Sequence, residues 1–305
     1  MKTITNGTVT ISVKSHGAEL ASIQCGGREY LWQADEAFWK RHSPVLFPIV
    51  GAVWNGTFRS HGAEYAMGQH GLARDMDFSL VYEDSETLRY RLTSSTETLQ
   101  KYPYPFLLEI AYHIEGRRVR VIWHVENTGS EEMAFQIGAH PAFYWPFLSN
   151  EEIRGGVTKM EPALSSQDSR GFFRLDDTER KLTLSVITEN GCVGECDTLT
   201  TDAEGFLPLN VSSFDRDALI FEDSQLSKVT LCRNDRTPYL SVEFSSPLVG
   251  LWSPPRKRAP FVCIEPWYGR TDSVGYDGSF EEKEWMQHLM PGAAFDAHYD
   301  IIIEE

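Results

Sequence analysis

No long apolar run interrupts this chain. The longest nearly apolar stretch, Pro44 to Trp54, is eleven residues and contains Pro48 and Gly51, well short of the roughly 20 residues a membrane-spanning helix needs. Positive charge is scarce as well. Twenty-eight Lys and Arg against 44 Asp and Glu leave a formal charge of −16 at pH 7, a field that repels phosphate backbones and anionic lipid. Nucleic acid and membrane surfaces are therefore not expected partners. Cysteine is sparse and odd in number: Cys25, Cys192, Cys196, Cys232 and Cys263 fit free thiols better than a disulfide framework. Cys192 and Cys196 have no second Cys or His pair nearby in sequence, so no structural zinc site is expected. The opening residues MKTITNGTVTISV lack the basic cap, apolar block and small-residue cleavage site of an export signal. The expected location is cytoplasmic.

Internal repeats and long linkers are missing too, and helical periodicity is rare. What is present is a chain of 305 residues, 41% hydrophobic and 24% charged, enough to bury a large core. Two-residue alternation dominates. It marks Val9, Ile11 and Val13; Leu88, Tyr90 and Leu92; and Leu182, Leu184 and Val186 as half-buried strands. Leu108 to Ile114 and Val119 to Val125 read as a hairpin about Glu115-Gly116-Arg117. Val229 and Leu231 pair with Leu240 to Phe244 about Asn234-Asp235-Arg236, and Tyr299, Ile301 and Ile303 close the pattern. Only Glu97 to Tyr102 and Glu281 to Leu289 read as helices. Strands without intervening long helices predict an all-β, antiparallel sandwich or barrel. Ser165 to Gly171, the most linker-like stretch, runs straight into Phe172-Phe173 and reads as a loop, so one domain over 1–305 is expected.

Four segments break the alternation and crowd ionisable residues among aromatics, prolines and glycines: 40–48, 69–75, 138–145 and 263–269. Irregular backbone on a rigid β scaffold is where binding and chemistry concentrate. His140, followed by Pro141 and the aromatics Phe143, Tyr144 and Trp145, is either a packed strand-end histidine or a general acid or base. Glu265 follows the apolar run Phe261 to Ile264, and a carboxylate there needs a partner. It is either half of a salt bridge, to an arginine such as Arg74, or a base sharpened by burial. His70 and Arg74 flank a turn at Gly71. Asp217 starts an apolar strand, where a solvated aspartate is ordinary.

Together, SPVLFPIVG at 43–51, QHGLARDMDF at 69–78, IGAHPAFYWP at 137–146, DALIF at 217–221 and CIEPWYGRTD at 263–272 resemble the aldose 1-epimerase (galactose mutarotase) superfamily, most closely its LacX-like branch. The segments occur in order over most of the chain. The resemblance implies a single large galactose mutarotase-like β-sandwich, a small-molecule carbohydrate in an open cleft, no cofactor and no metal, in a monomer or homodimer. It implies Glu265 as general base, His140 as general acid, His70, Arg74 and Asp217 as substrate-binding residues, and supporting roles for Trp267 and Asp272. A carboxylate near His140 is expected to favour its protonated form. Tyr144-Trp145 stands where the family commonly has an asparagine after the phenylalanine, which is expected to reshape the pocket near the acid. Two other readings share the fold: a hexose-6-phosphate mutarotase, drawing on Lys40 and Arg41, and a non-catalytic sugar-binding or sensing protein.

Overall fold

The structure, a computed structural model, describes residues 1–176 and 178–304. Its largest hairpin pairs Phe106–Glu115 with Arg118–Asn127, Glu115 facing Arg118 and Phe106 facing Asn127. Gly116 and Arg117 make the whole turn, with Gly116 at a left-handed φ of 55° that suits glycine. Val119, Val121, Trp123 and Val125 are buried on one face, while the alternate residues meet solvent.

This hairpin sits in a nine-stranded antiparallel sheet. Its order is Phe206–Asn210, Ser169–Arg174, Lys228–Cys232, Pro238–Phe244, Ala294–Ile303, Arg118–Asn127, Phe106–Glu115, Thr87–Thr93 and Ser79–Glu83. A second sheet runs Cys192–Thr200, Lys181–Glu189, Leu219–Phe221, Leu248–Trp252, Phe261–Tyr268, Ile137–Ala139 and Val45–Leu46, with Ala142–Tyr144 also paired to Phe261–Tyr268. Trp123 and Phe295 of the first sheet meet Tyr268 of the second at ring-centroid distances of 6.2 and 5.0 Å. That contact closes the sandwich. The strands Lys2–Thr5, Val9–Val13, Leu20–Cys25 and Arg28–Glu29 form a further sheet. It is pinned to the nine-stranded one by Tyr112 donating to the Ala18 carbonyl at 2.6 Å and by Tyr30 stacked on Tyr239. One apolar cluster extends from Ile4 to Ile303. The all-β antiparallel sandwich expected from alternation is what forms. Among the described residues no helix is long and apolar enough to cross a membrane.

Helices depart from expectation in both directions. Thr96–Leu99 forms, capped by the Ser95 side chain, which accepts from the Thr98 N–H. The segment 281–289 is not a helix: turns lead into a strand, Gln287–Leu289, paired with Met133–Phe135. Its side chains are claimed by different parts of the molecule. Glu281 accepts from Ser60, Lys283 pairs with Asp272, and Trp285, at φ 62°, donates to Glu222. No single face exists to bury. Conversely, Asn150–Arg154 and Val157–Ser166 are helical, so Ser165 and Ser166 end a helix and Ser169 already begins a strand. Pro162 inside the second helix and the Gly155-Gly156 pair before it mask its periodicity.

One cross-strand cluster gives the fold a pH dependence. Glu243 and Asp300 face each other on neighbouring strands, a repulsive pairing that Arg118 bridges at 3.3 and 2.5 Å, while Arg120 adds two bonds to Asp300. Burial pushes the Asp300 carboxyl up, but the hydrogen bonds from Arg120 and Arg118 outweigh it and hold the group below the usual aspartate range. A carboxyl depressed in the folded state stabilises above its unfolded value of about 3.9 and loses that contribution as pH falls through the folded one. Asp300→Asn is therefore expected to destabilise by about 1–2 kcal/mol at pH 7, the arginines being partly solvated. The gap should narrow as pH drops below about 4, and thermal unfolding across pH checks it.

Candidate active site

Register brings the two distant ionisable residues together. On the strand Phe261–Tyr268, Trp267 faces Gly138 and Cys263 faces Ala142. Counting inward from both pairs puts Glu265 opposite His140. Directly opposed residues of an antiparallel pair share a face, and His140 Nε2 lies 3.3 Å from Glu265 Oε2. Neither Pro141 nor Pro266 has an N–H to offer, so the ladder opens at this point. On the other flank Glu265 faces Gly250. A Cβ on Gly250 would stand 2.3 Å from the Trp267 ring, and one on Gly138 would stand 2.6 Å from it. Trp267 thus lies in a slot between two glycines, beside the carboxylate. Gly250→Ala is expected to cost about 1–3 kcal/mol by overpacking and to lower turnover by displacing Trp267. Melting temperature and kcat measured on the same variant check both.

Both groups are buried, with His140 8% and Glu265 2% exposed in their side chains. Burial, and after it the charge of Asp217, pushes the Glu265 carboxyl well above the usual glutamate range, against a hydrogen bond from the Trp267 side chain. Burial and then the Arg74 charge push His140 down to about 3. Burial works against the charged form of His140 that its carboxylate neighbour is expected to favour. Desolvation disfavours the ionised form of each group. His140 is held by aromatic rings, tilted against Trp39 at 4.7 Å and edge-on to Trp252 at 5.4 Å and His70 at 5.3 Å.

His70 occupies a left-handed backbone position, φ 65°, and its Nδ1 accepts from the Gly51 N–H at 3.1 Å. The ring proton is therefore on Nε2. Burial, then His140 and Arg74, hold its pKa well below the usual histidine value, so His70 is a neutral donor and not an acid. Arg74 sits on the short 3-10 turn Ala73–Asp75 and donates to the Gln69 carbonyl at 2.6 Å. Burial and neighbouring Arg41 pull it down to about 10, which leaves it charged at neutral pH. It does not pair with Glu265. Asp217, at φ 75°, folds its Oδ1 onto the Ala218 N–H.

Glu265, His140, His70, Arg74, Asp217 and Trp267 all line one cavity of about 270 Å³, suited to a monosaccharide and just below the ~300 Å³ at which drug-sized pockets begin. Trp39 and Trp252, which line it too, were not singled out by sequence. Their signal was adjacency: Trp39 precedes the segment 40–48, and Trp252 precedes Ser253-Pro254-Pro255. Asp272 lies elsewhere, lining a neighbouring cavity and paired with Lys283 at 2.8 Å. It accepts from the Trp54 N–H at 2.7 Å, and its backbone bonds Ala52 and Val193, so it braces the loops behind the cleft wall. Tyr144 and Trp145 turn into the core, Trp145 donating to the Ala259 carbonyl, and do not shape the pocket as expected. Lys40 and Arg41 are not in its lining, and Arg41 pairs with Asp75 at 2.8 Å.

Comparison with known proteins extends these observations. A family model described as aldose 1-epimerase matches residues 1–292. Protein LacX (chromosomal) of Lactococcus lactis subsp. lactis is 29% identical over 307 residues, covering 98% of this chain and 97% of the relative. A galactose mutarotase-like protein from Lactobacillus casei has the same fold with a TM-score of 0.88 at 27% identity, covering 99% of each chain. A galactose mutarotase related enzyme from Lactobacillus acidophilus gives 0.84 at 29% identity, covering 100% of this chain and 97% of that one.

Proposed function

The chain belongs to the aldose 1-epimerase family, and from that premise we propose that it interconverts the α and β anomers of a free aldose by opening and re-closing the ring. The observation that carries the reading is the contact between His140 Nε2 and Glu265 Oε2 on the cavity wall. Glu265 takes the proton of the C1 hydroxyl while His140 gives one to the ring oxygen, and the C1–O5 bond breaks to leave the aldehyde. Rotation about C1–C2 presents the other carbonyl face. Closure then returns both protons. The working arrangement, carboxylate beside imidazolium, holds the same number of protons as a carboxylic acid beside a neutral imidazole and differs from it by one transfer across the 3.3 Å contact.

His70 Nε2–H, Arg74 and Asp217 are the hydroxyl-binding groups in this reading, and Trp39, Trp252 and Trp267 offer faces for the sugar's C–H surfaces. The charged lining is one cation, Arg74, and two carboxyls, Asp217 and Glu265. That balance favours a neutral sugar over a sugar phosphate. Polarimetry on freshly dissolved α-glucose, α-galactose and a panel of other aldoses and hexose 6-phosphates tests the proposal. Rotation should relax faster than the spontaneous rate with at least one neutral aldose. Catalysis confined to the phosphates would move the assignment to hexose-6-phosphate mutarotation, and tight sugar binding without acceleration would make the protein a sugar sensor.

A further inference from the structure

Cys263 stands two residues before Glu265 on the same strand and therefore on the same face. Its thiol, fully buried, lies with one nitrogen of His140 and one carboxylate oxygen of Glu265 in a triangle whose corners are all within 4.8 Å of one another. We infer that this triangle binds a thiophilic divalent cation such as Zn²⁺ or Cd²⁺, and that an ion held there blocks the site by occupying both groups that handle protons.

The geometry fits a tetrahedral ion with three protein ligands. Bonds of about 2.0–2.1 Å to nitrogen and oxygen put those atoms about 3.3 Å apart, and His140 Nε2 and Glu265 Oε2 are 3.3 Å apart. A zinc–sulfur bond of about 2.3 Å asks for sulfur about 3.6 Å from each. All three corners lie within 4.8 Å of one another, so closing the triangle to these spacings asks for a thiol movement on the order of 1 Å, within reach of side-chain rotation. Glu265 Oε2 is buried and, among the described residues, has no hydrogen-bond partner, so a ligand role breaks no existing bond. Binding replaces the Cys263 S–H proton and any proton on Glu265 with the metal, both protons passing to solvent. The fourth position is left for water. This site is separate in kind from the sequence expectation about Cys192 and Cys196, and the 122 residues of chain between His140 and Cys263 hide it from any spacing rule.

Metal binding does not depend on the mutarotase reading, whereas the inhibitory half of the inference rests on it. The test uses the full chain carrying Cys196→Ser, which removes the exposed thiol, titrated with Cd²⁺ and followed by the ultraviolet cadmium–thiolate band. One equivalent should produce the band. Adding Cys263→Ser, or Cys263→Ala if the serine variant does not fold, should abolish it, and Glu265→Gln should weaken it. In the activity arm Zn²⁺ should suppress mutarotation reversibly on chelation. Cys263→Ser, with near-normal basal activity, should need at least about tenfold more Zn²⁺, the lower bound set by losses seen when groups that only hydrogen-bond a metal ligand are removed. A band that survives loss of Cys263, or no band at one equivalent, overturns the inference. A Cys263-dependent band in a protein without mutarotase activity leaves the metal site standing and sinks the functional reading instead.

Discussion

Glu265→Gln is expected to lower kcat for mutarotation by about 10²–10⁴-fold with little change in KM. Gln keeps the shape of the side chain and can still contact His140, but it cannot accept the C1 hydroxyl proton. The stability of the variant should be unchanged or higher. The wild-type carboxyl is buried with an unpartnered oxygen and pushed well above the usual glutamate range by that burial, so replacing it with a neutral amide removes a desolvated ionisable group. Activity and stability should thus move independently, which separates loss of chemistry from loss of fold. Progress curves in a polarimeter and thermal melts on one preparation supply both. A rate within threefold of wild type would remove Glu265 from the role of base.

Lys283→Met is expected to destabilise the protein by about 3–5 kcal/mol. Lys283 and Asp272 are 3% and 4% exposed and 2.8 Å apart, with no other hydrogen-bond partner on the two contacting atoms among the described residues. Burial lowers the lysine pKa, and the Asp272 charge only partly restores it. Removing the cation strands a buried carboxylate, and that accounts for the size of the effect. Lys283→Met combined with Asp272→Leu should recover a large part of the loss, held back by the Trp54 N–H that Asp272 caps at 2.7 Å. Urea unfolding of the two single variants and the double variant measures it. Equal costs in the single and double variants would mean that the stranded charge is not the cause.

These two predictions mark where sequence reading succeeded and where it stopped. Alternation found the strands because each half-buried face obliges every second residue to be apolar, as in Val119 to Val125. Helix signals were less reliable. The helix holding Pro162 was not foreseen, its last two residues being read into a loop, and the turns at 281–285 looked helical because their anchoring partners, Ser60, Asp272 and Glu222, lie far away in sequence. Among the proposed site residues, the motifs carried His140, Glu265, His70, Arg74, Asp217 and Trp267 to one cavity. Asp272 was read as part of the same site because it shares the segment 263–272, yet its side chain points behind the wall. Trp39 and Trp252 escaped notice because an aromatic after a turn or at a strand end ordinarily belongs to the core. The electrostatic balance within the pair could not be read from composition, since desolvation opposes the attraction that proximity alone suggests.

The central claim is that His140 and Glu265 act on one ring in one transition state. A double-mutant cycle on kcat tests it most directly, comparing wild type, Glu265→Gln, His140→Asn and the pair. If the groups act together, either single change removes the concerted proton transfer and the double variant should be no more than about tenfold slower than the slower single. Losses that multiply, each single change keeping its full factor in the presence of the other, would contradict the account.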